Sequence, residues 1–260
     1  MKRLMLLTLL VVVVVPAVPV FAADDDQSIA YFYPLRTRRP VIERELELRV
    51  EHEKARDGRS TTVATAIELP ILPRWQVEVE VPLVFVDPRE GASTAGFGDV
   101  SVESKVLVWR SLEYLAAVAL GVEGRLPSGS ERRGLGGEAA VEPFGALGIA
   151  IGDFDVLGSV AYEMNVNAGV KGPNEQELDA SAALAWRVHR RFAPLLELAT
   201  VTRTRGDNED GLRHRTQVYV IPGFNARVFP GTTLRLGVEL PLTGARTHDY
   251  AILGGFVKEF

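Results

Sequence analysis

Along most of the chain apolar and polar residues alternate with a period of two, the spacing that sends successive side chains to opposite faces of a β-strand. In Glu45-Leu46-Glu47-Leu48-Arg49-Val50-Glu51 the even positions are apolar and the odd ones charged. Residues 63–69 continue the pattern, and Trp75-Gln76-Val77-Glu78-Val79-Glu80-Val81 shows it most clearly. A helix would scatter these charges around its circumference, whereas a strand segregates them. The same reading predicts strands over 100–108, 114–126, 138–149, 154–165, 178–188, 195–203, 216–225, 232–242 and 249–260. That makes about twelve, each with its connection occupying roughly 20 residues, close to the proportions of outer-membrane barrels.

The connections carry a second signal. Those at 70–74, 110–113, 152–153, 187–194 and 228–231 are compact. Between them lie longer polar segments at 87–96, 127–137, 166–177 and 204–215, with two shorter ones at 55–60 and 243–248. Short periplasmic turns alternating with longer extracellular loops are the asymmetry of such barrels. The predicted fold class is therefore all-β, an antiparallel transmembrane β-barrel of about 12 strands spanning residues 44–260.

With the apolar set facing lipid, the outer surface carries Leu46, Leu48, Val50, Val77, Val79, Val81, Val106, Leu120, Leu184, Leu236 and their like. The opposite face then holds Glu45, Glu47, Arg49, Glu51, Glu68, Glu78, Glu80, Glu103, Lys105, Glu123, Arg125, Glu142, Glu163, Arg187, Glu197, Arg203, Arg235 and Glu239. A lipid-facing Arg or Lys costs about 2–4 kcal/mol near the midplane. So many charges require a watered or mutually paired interior, and that lumen is predominantly acidic. Spread out in water they would make a cation-preferring pore; crosslinked as Glu–Arg and Glu–Lys pairs they would close it. A secreted soluble β-domain with the apolar face inward gives the same alternation and is the rival fold.

The chain's start favours export. Met1-Lys2-Arg3, an apolar run from Leu4 to Val15 and the small residues Val20 and Ala22 make residues 1–22 a signal peptide. Residues 23–43 fit no strand, because Tyr31-Phe32-Tyr33-Pro34 and Arg36-Thr37-Arg38-Arg39-Pro40 mix aromatic, basic and Pro residues. They are assigned as a periplasmic leader in preference to a short plug. The chain has no Cys and a formal charge of −5. There is accordingly no disulfide framework, and no basic stripe of the kind a nucleic-acid binder shows.

The end reads Tyr250-Ala251-Ile252-Leu253-Gly254-Gly255-Phe256-Val257-Lys258-Glu259-Phe260. Tyr250, Ile252, Gly254, Phe256 and the terminal Phe260 on an alternating last strand resemble the signal read by the outer-membrane barrel assembly machinery. Lys258 departs from it, as a residue placed to snorkel at the rim. The expected partners are that machinery, outer-membrane lipid and lipopolysaccharide, and a small-molecule solute, without nucleic acid. The expected location is the bacterial outer membrane.

Gly96-Phe97-Gly98-Asp99-Val100 entering a strand, then Leu126-Pro127-Ser128-Gly129 and Gly134-Leu135-Gly136-Gly137, resemble the outer-membrane proteins named for the meta-pathway of phenol degradation. The resemblance covers residues 75–165 well and implies a channel for hydrophobic or aromatic small molecules. Read physically, these motifs are loop geometry before they are ligand contacts.

Catalytic chemistry finds little purchase. No Gly-x-Ser-x-Gly elbow occurs. Ser104 and His52 are not neighbours, and His189, His214 and His248 fall in connections without metal-binding spacing. The loop Gly206-Asp207-Asn208-Glu209-Asp210-Gly211 offers oxygen ligands but lacks the spacing of a defined calcium loop. No cofactor is expected. The leading expectation is passive uptake of small molecules through an acidic lumen; the alternative is an occluded structural or interaction barrel with a salt-bridged interior.

Overall fold

The computed structural model describes residues 29–166, 175–206 and 211–260. The expected signal peptide, residues 23–28 and the acidic stretch 207–210 of the candidate cation loop lie outside the described residues.

The strands are β1 Glu45–Lys54, β2 Gly58–Leu72, β3 Trp75–Pro88, β4 Thr94–Phe97, β5 Val100–Ser111, β6 Ala116–Leu126, β7 Ala140–Ile151, β8 Phe154–Asn165, β9 Gln176–Trp186, β10 Phe192–Arg205, β11 Thr216–Phe229, β12 Thr232–Pro241 and β13 Tyr250–Glu259. Every strand but β4 pairs antiparallel with its neighbours in one ring, β3 pairing with both β2 and β5. The ring closes where β1 meets β13, with Leu48 opposite Phe256 and Val50 opposite Gly254. The result is a closed 12-stranded antiparallel barrel. Closure leaves no free edge and satisfies the backbone without water, which a spanning structure in lipid requires.

The short β4 is an addition to the predicted pattern. It pairs only with the upper end of β3, Leu83 opposite Phe97 and Val86 opposite Thr94, inside a segment read from sequence as loop. Strand ends shift by a few residues elsewhere: β10 begins at Phe192 and β9 stops at Trp186. Pro143, Pro194 and Pro222 all lie within strands. The β11–β12 ladder skips from Val220 to Gly223, so the missing Pro222 donor falls at a gap.

Tight reversals sit at one end of the barrel. Gly152 and Gly231, in two-residue connections, adopt positive φ of 58° and 60°, where a side chain would be strained. Aromatic residues gather near these turns: Phe154 stacks on Trp186 at 6.0 Å between centroids, and Phe192 meets Phe224 at 5.5 Å. Above them the outer wall exposes Val79, Val102, Val106, Leu120, Leu184, Leu196, Leu236 and Ile252. This apolar belt with its aromatic rim suits a bilayer. In β13, Ile252 and Phe256 point outward, Gly254 and Tyr250 share their face, and the exposed Phe260 follows; its amide donates to the Arg44 carbonyl. Lys258 turns its ammonium to the Pro230 carbonyl at the turn, 2.9 Å away.

The charged set faces inward. Arg187 lies just beyond the end of β9 in the turn to β10, at the edge of the vestibule, with its guanidinium on the Gly152 carbonyl and 3.3 Å from Asp155.

Candidate functional site

Residues 29–43 do not hang below the barrel as the preferred leader would. They enter from the turn end, bend at Leu35–Thr37 and return to Arg44 at the same mouth, so that a loop of chain fills the interior. The segment is not hydrogen-bonded as a strand, so its backbone groups need partners elsewhere. The wall supplies them from inward-facing side chains. Asp155 accepts from the Phe32 amide (3.3 Å), Ser159 from Arg38 (3.2 Å) and Gln76 from Glu43 (2.7 Å). Asn225 reads both sides of one residue, accepting from the Tyr33 amide at 2.7 Å and donating to its carbonyl at 2.8 Å. Arg235 donates to the Pro34 carbonyl.

Glu197 makes the densest contact. It is 0 % exposed. Its carboxylate accepts the amides of Leu35, Arg36 (3.1 Å) and Thr37 (3.0 Å) and the Thr37 hydroxyl (2.9 Å). Four donors converging on one carboxylate satisfy a charge that could not otherwise be kept from water.

The bend presents two arginines to facing sides of the wall. Arg36 pairs with Glu51 of β1 and, at 2.8 Å, with Glu239 of β12. Arg38 pairs with Glu103 of β5, Glu123 of β6 (2.8 Å) and Glu142 of β7, and lies 4.2 Å from the centroid of the Phe144 ring. Burial by itself would disfavour the Arg38 charge, but the three carboxylates raise its pKa further. Arg39 bonds Glu43 at 2.6 Å, approaches Glu45 at 3.6 Å and covers the Tyr33 ring at 3.9 Å. The Tyr33 hydroxyl lies 3.0 Å from Glu45 of β1 and 2.7 Å from Glu259 of β13, across the seam where the ring closes.

Lower in the lumen the segment is held by apolar contact. Ile29, Tyr31, Phe32 and Val41 form one buried cluster with the inward Leu107, Ala117, Ala150, Leu157, Ala183, Ala185 and Leu195. The Tyr31 hydroxyl donates to the Leu115 carbonyl at 3.0 Å, and burial pushes its pKa up to about 12, so it keeps that proton. Small wall residues make the room. A Cβ on Gly148 would stand 2.9 Å from Tyr31 and 3.0 Å from Pro40, and one on Gly237 would overlap Leu35.

The remaining charges pair within the wall. Arg49 gathers Glu47 (2.6 Å), Glu78 (3.0 Å) and Glu80 (2.6 Å), and Arg235 also bonds Glu47. Lys105 lies 3.8 Å from Glu68 and 4.0 Å from Glu103. Arg125 holds Glu163, and Arg203 bonds Glu177 at 3.0 Å. Buried His248 sits 2.8 Å from Glu239 and stacks on Tyr219. Glu45, Glu47 and Glu68 offer three carboxylate oxygens within 4.8 Å of one another. Arg39, Arg49, Arg235, Lys105 and the Gln76 amide already surround them, so the cluster is an ion-pair network. Sequence reasoning missed Arg36, Arg38, Arg39, Gln76, Asp155, Asn225 and His248 as interior residues.

Voids remain among the described residues. One of about 320 Å³ runs between the segment and the wall of β1, β2, β3 and β5; another, about 1070 Å³, is the vestibule at the turn end, edged by Arg44, Arg187, Arg190, Arg191 and Arg227.

The family motifs prove to be a loop fastening. Asp99 accepts the amides of Gly129 (2.7 Å), Gly137 (2.8 Å) and Glu138 (3.1 Å), while the Ser128 hydroxyl bridges the Gly98 carbonyl and the Val100 amide. Gly136 and Gly137 take φ of 121° and 107° so that their backbone can wrap this carboxylate. A family profile described as "Putative MetA-pathway of phenol degradation" matches residues 53–248. The chain belongs to this family.

No curated protein sequence matches this member of the phenol-degradation family. Among solved structures it is similar to the NanC porin in a rhombohedral crystal form, with a TM-score of 0.59 at 9% identity, over 83% of this chain and 99% of that one. The KdgM porin in complex with disordered oligogalacturonate gives 0.55 at 10%, with the same coverage. The β domain of the Bordetella autotransporter BrkA gives 0.54 at 10%, over 84% and 99%. At these identities the likeness is one of fold. Together with the apolar belt, it makes this family member a β-barrel of the bacterial outer membrane.

Proposed function

We propose that the protein is an outer-membrane channel for passive uptake of small molecules with an apolar or aromatic body, its acidic lumen favouring cationic or neutral solutes. The observation that carries this is the apolar patch inside an otherwise charged wall, where Leu107, Leu157 and Leu195 pack around the chain's own Phe32 and Tyr31. The patch holds Tyr31 and Phe32 while the segment is seated, and a wall of this composition also suits a small apolar solute once they leave it. The wall's excess of carboxylates disfavours anions by simple Coulomb repulsion.

Liposome swelling tests the reading. An aromatic glucoside should enter faster than a disaccharide through the purified protein, and Leu157→Ser should reduce the difference. Equal rates would remove the aromatic preference. A second reading, an occluded barrel that works as a structural element, is supported by the ion pairs that fill the lumen. It would prevail if neither sugar entered through the native protein or through Glu197→Ala, which weakens the hold on residues 29–43.

A further inference from the structure

We infer that residues 29–43 are an autoinhibitory plug that opens by withdrawing as a unit toward the periplasm. This rests on the channel reading above and adds to it the element that opens the pore.

The first support is the path of the chain. Both limbs of the segment lead to the turn end: Ile29 and Arg44 line the same vestibule, and the bend at Leu35–Thr37 is the innermost point. A loop inserted this way can back out through the mouth by which both of its described limbs enter. The second is that the ring of strands is complete without it, since no wall strand uses the segment in its ladder. Withdrawal breaks no β-sheet hydrogen bond.

The third support is the division of the ion pairs. Arg49 with Glu47, Glu78 and Glu80, Arg125 with Glu163, and Arg203 with Glu177 stay whole when the segment leaves. The carboxylates that change partners are those facing Arg36, Arg38 and Arg39 together with Glu197, Asp155 and Glu259, and an opened lumen gives them water. The fourth is the fit: Gly148 and Gly237 leave space that only the seated segment fills. These features describe a stopper shaped to its seat but bonded to it by groups that water can replace.

The chain's lack of cysteine allows a direct test in full-length protein. Leu35→Cys with Gly237→Cys places one thiol on the bend and one on the wall it touches. Arg36→Gln with Arg38→Gln loosens the two clasps, and heat-modifiable gel migration establishes that each variant has folded. In planar bilayers the loosened variant should show at least a tenfold higher open probability than the native protein. Adding the cysteine pair and oxidising it should return the channel to the closed level, and reduction should release it. If oxidation leaves the conductance of the loosened protein unchanged, the segment is not the barrier and the inference fails while the channel stands. If native, loosened and Glu197→Ala proteins are all silent and pass no solute, the channel reading itself fails and takes the plug with it. Glu197→Ala also serves as the second variant should the double arginine change prevent folding.

Discussion

Replacing Glu197 by Ala removes the acceptor of four hydrogen bonds at once, three from backbone amides that cannot turn elsewhere while the segment is seated. Hydrogen bonds to a charged group contribute about 1.5–3 kcal/mol each. Counting only two at the lower value puts the loss at about 3 kcal/mol. The wall loses nothing comparable, because Glu197 has no ion pair of its own among the described residues. The substitution therefore acts on the seated state, and each 1.4 kcal/mol is about a factor of ten in population. The withdrawn population should rise roughly 100-fold, within the range of sub-global openings. A cysteine at Ala185 reports it, since that position is 0 % exposed beneath the Tyr31–Phe32 cluster and holds a residue close to cysteine in size. With the segment seated the thiol should resist a maleimide applied from the turn side; in the Glu197→Ala background it should react about two orders of magnitude faster. Labelling within threefold of the Ala185→Cys parent would show that these four bonds do not hold the segment.

Two further outcomes follow from other parts of the molecule. Asp99→Ala deprives the loop at 127–139 of the carboxylate that fastens it, at about 1.5–3 kcal/mol for one charged acceptor bond; trypsin should then cut after Arg132 or Arg133 at least tenfold faster, and an unchanged rate would reduce the motif to a spacer. Leu120→Arg puts a charge on the lipid face, where Leu120 is 54% exposed opposite Val106. The cost of about 2–4 kcal/mol should lower the denaturant midpoint of the barrel folded in lipid, and an unaltered midpoint would mean that this side of β6 does not face acyl chains.

What was legible in the sequence was whatever a strand imposes on its own residues. Glu45 to Glu51 and Trp75 to Val81 announce both their geometry and their inner face, because a period of two is a local property. The interior segment obeys no period. Its bend and its partners are dictated by Glu197, Asn225 and Asp155, residues some 120 to 190 positions away. Two signals pointed to it in retrospect. The inner face of β9 reads Ala183 and Ala185 where side chains would otherwise fill the lumen, and Gly148 and Gly237 stand inward in strands that gain nothing from glycine. The surplus of Glu on the inner face also called for cations, and Arg36, Arg38 and Arg39 were the unassigned ones.

The Tyr33 hydroxyl, within reach of Glu45 on the first strand and Glu259 on the last, ties the interior to the order in which the molecule is made. Glu45 is synthesised soon after Tyr33, but Glu259 follows it by 226 positions. The contact can form only once β13 has been made and has met β1. A barrel without β13, or one joined in the wrong register, would leave this tyrosine with half its seat, and its stopper correspondingly loose. The same ring that rests against the seam thus distinguishes a finished barrel from an unfinished one.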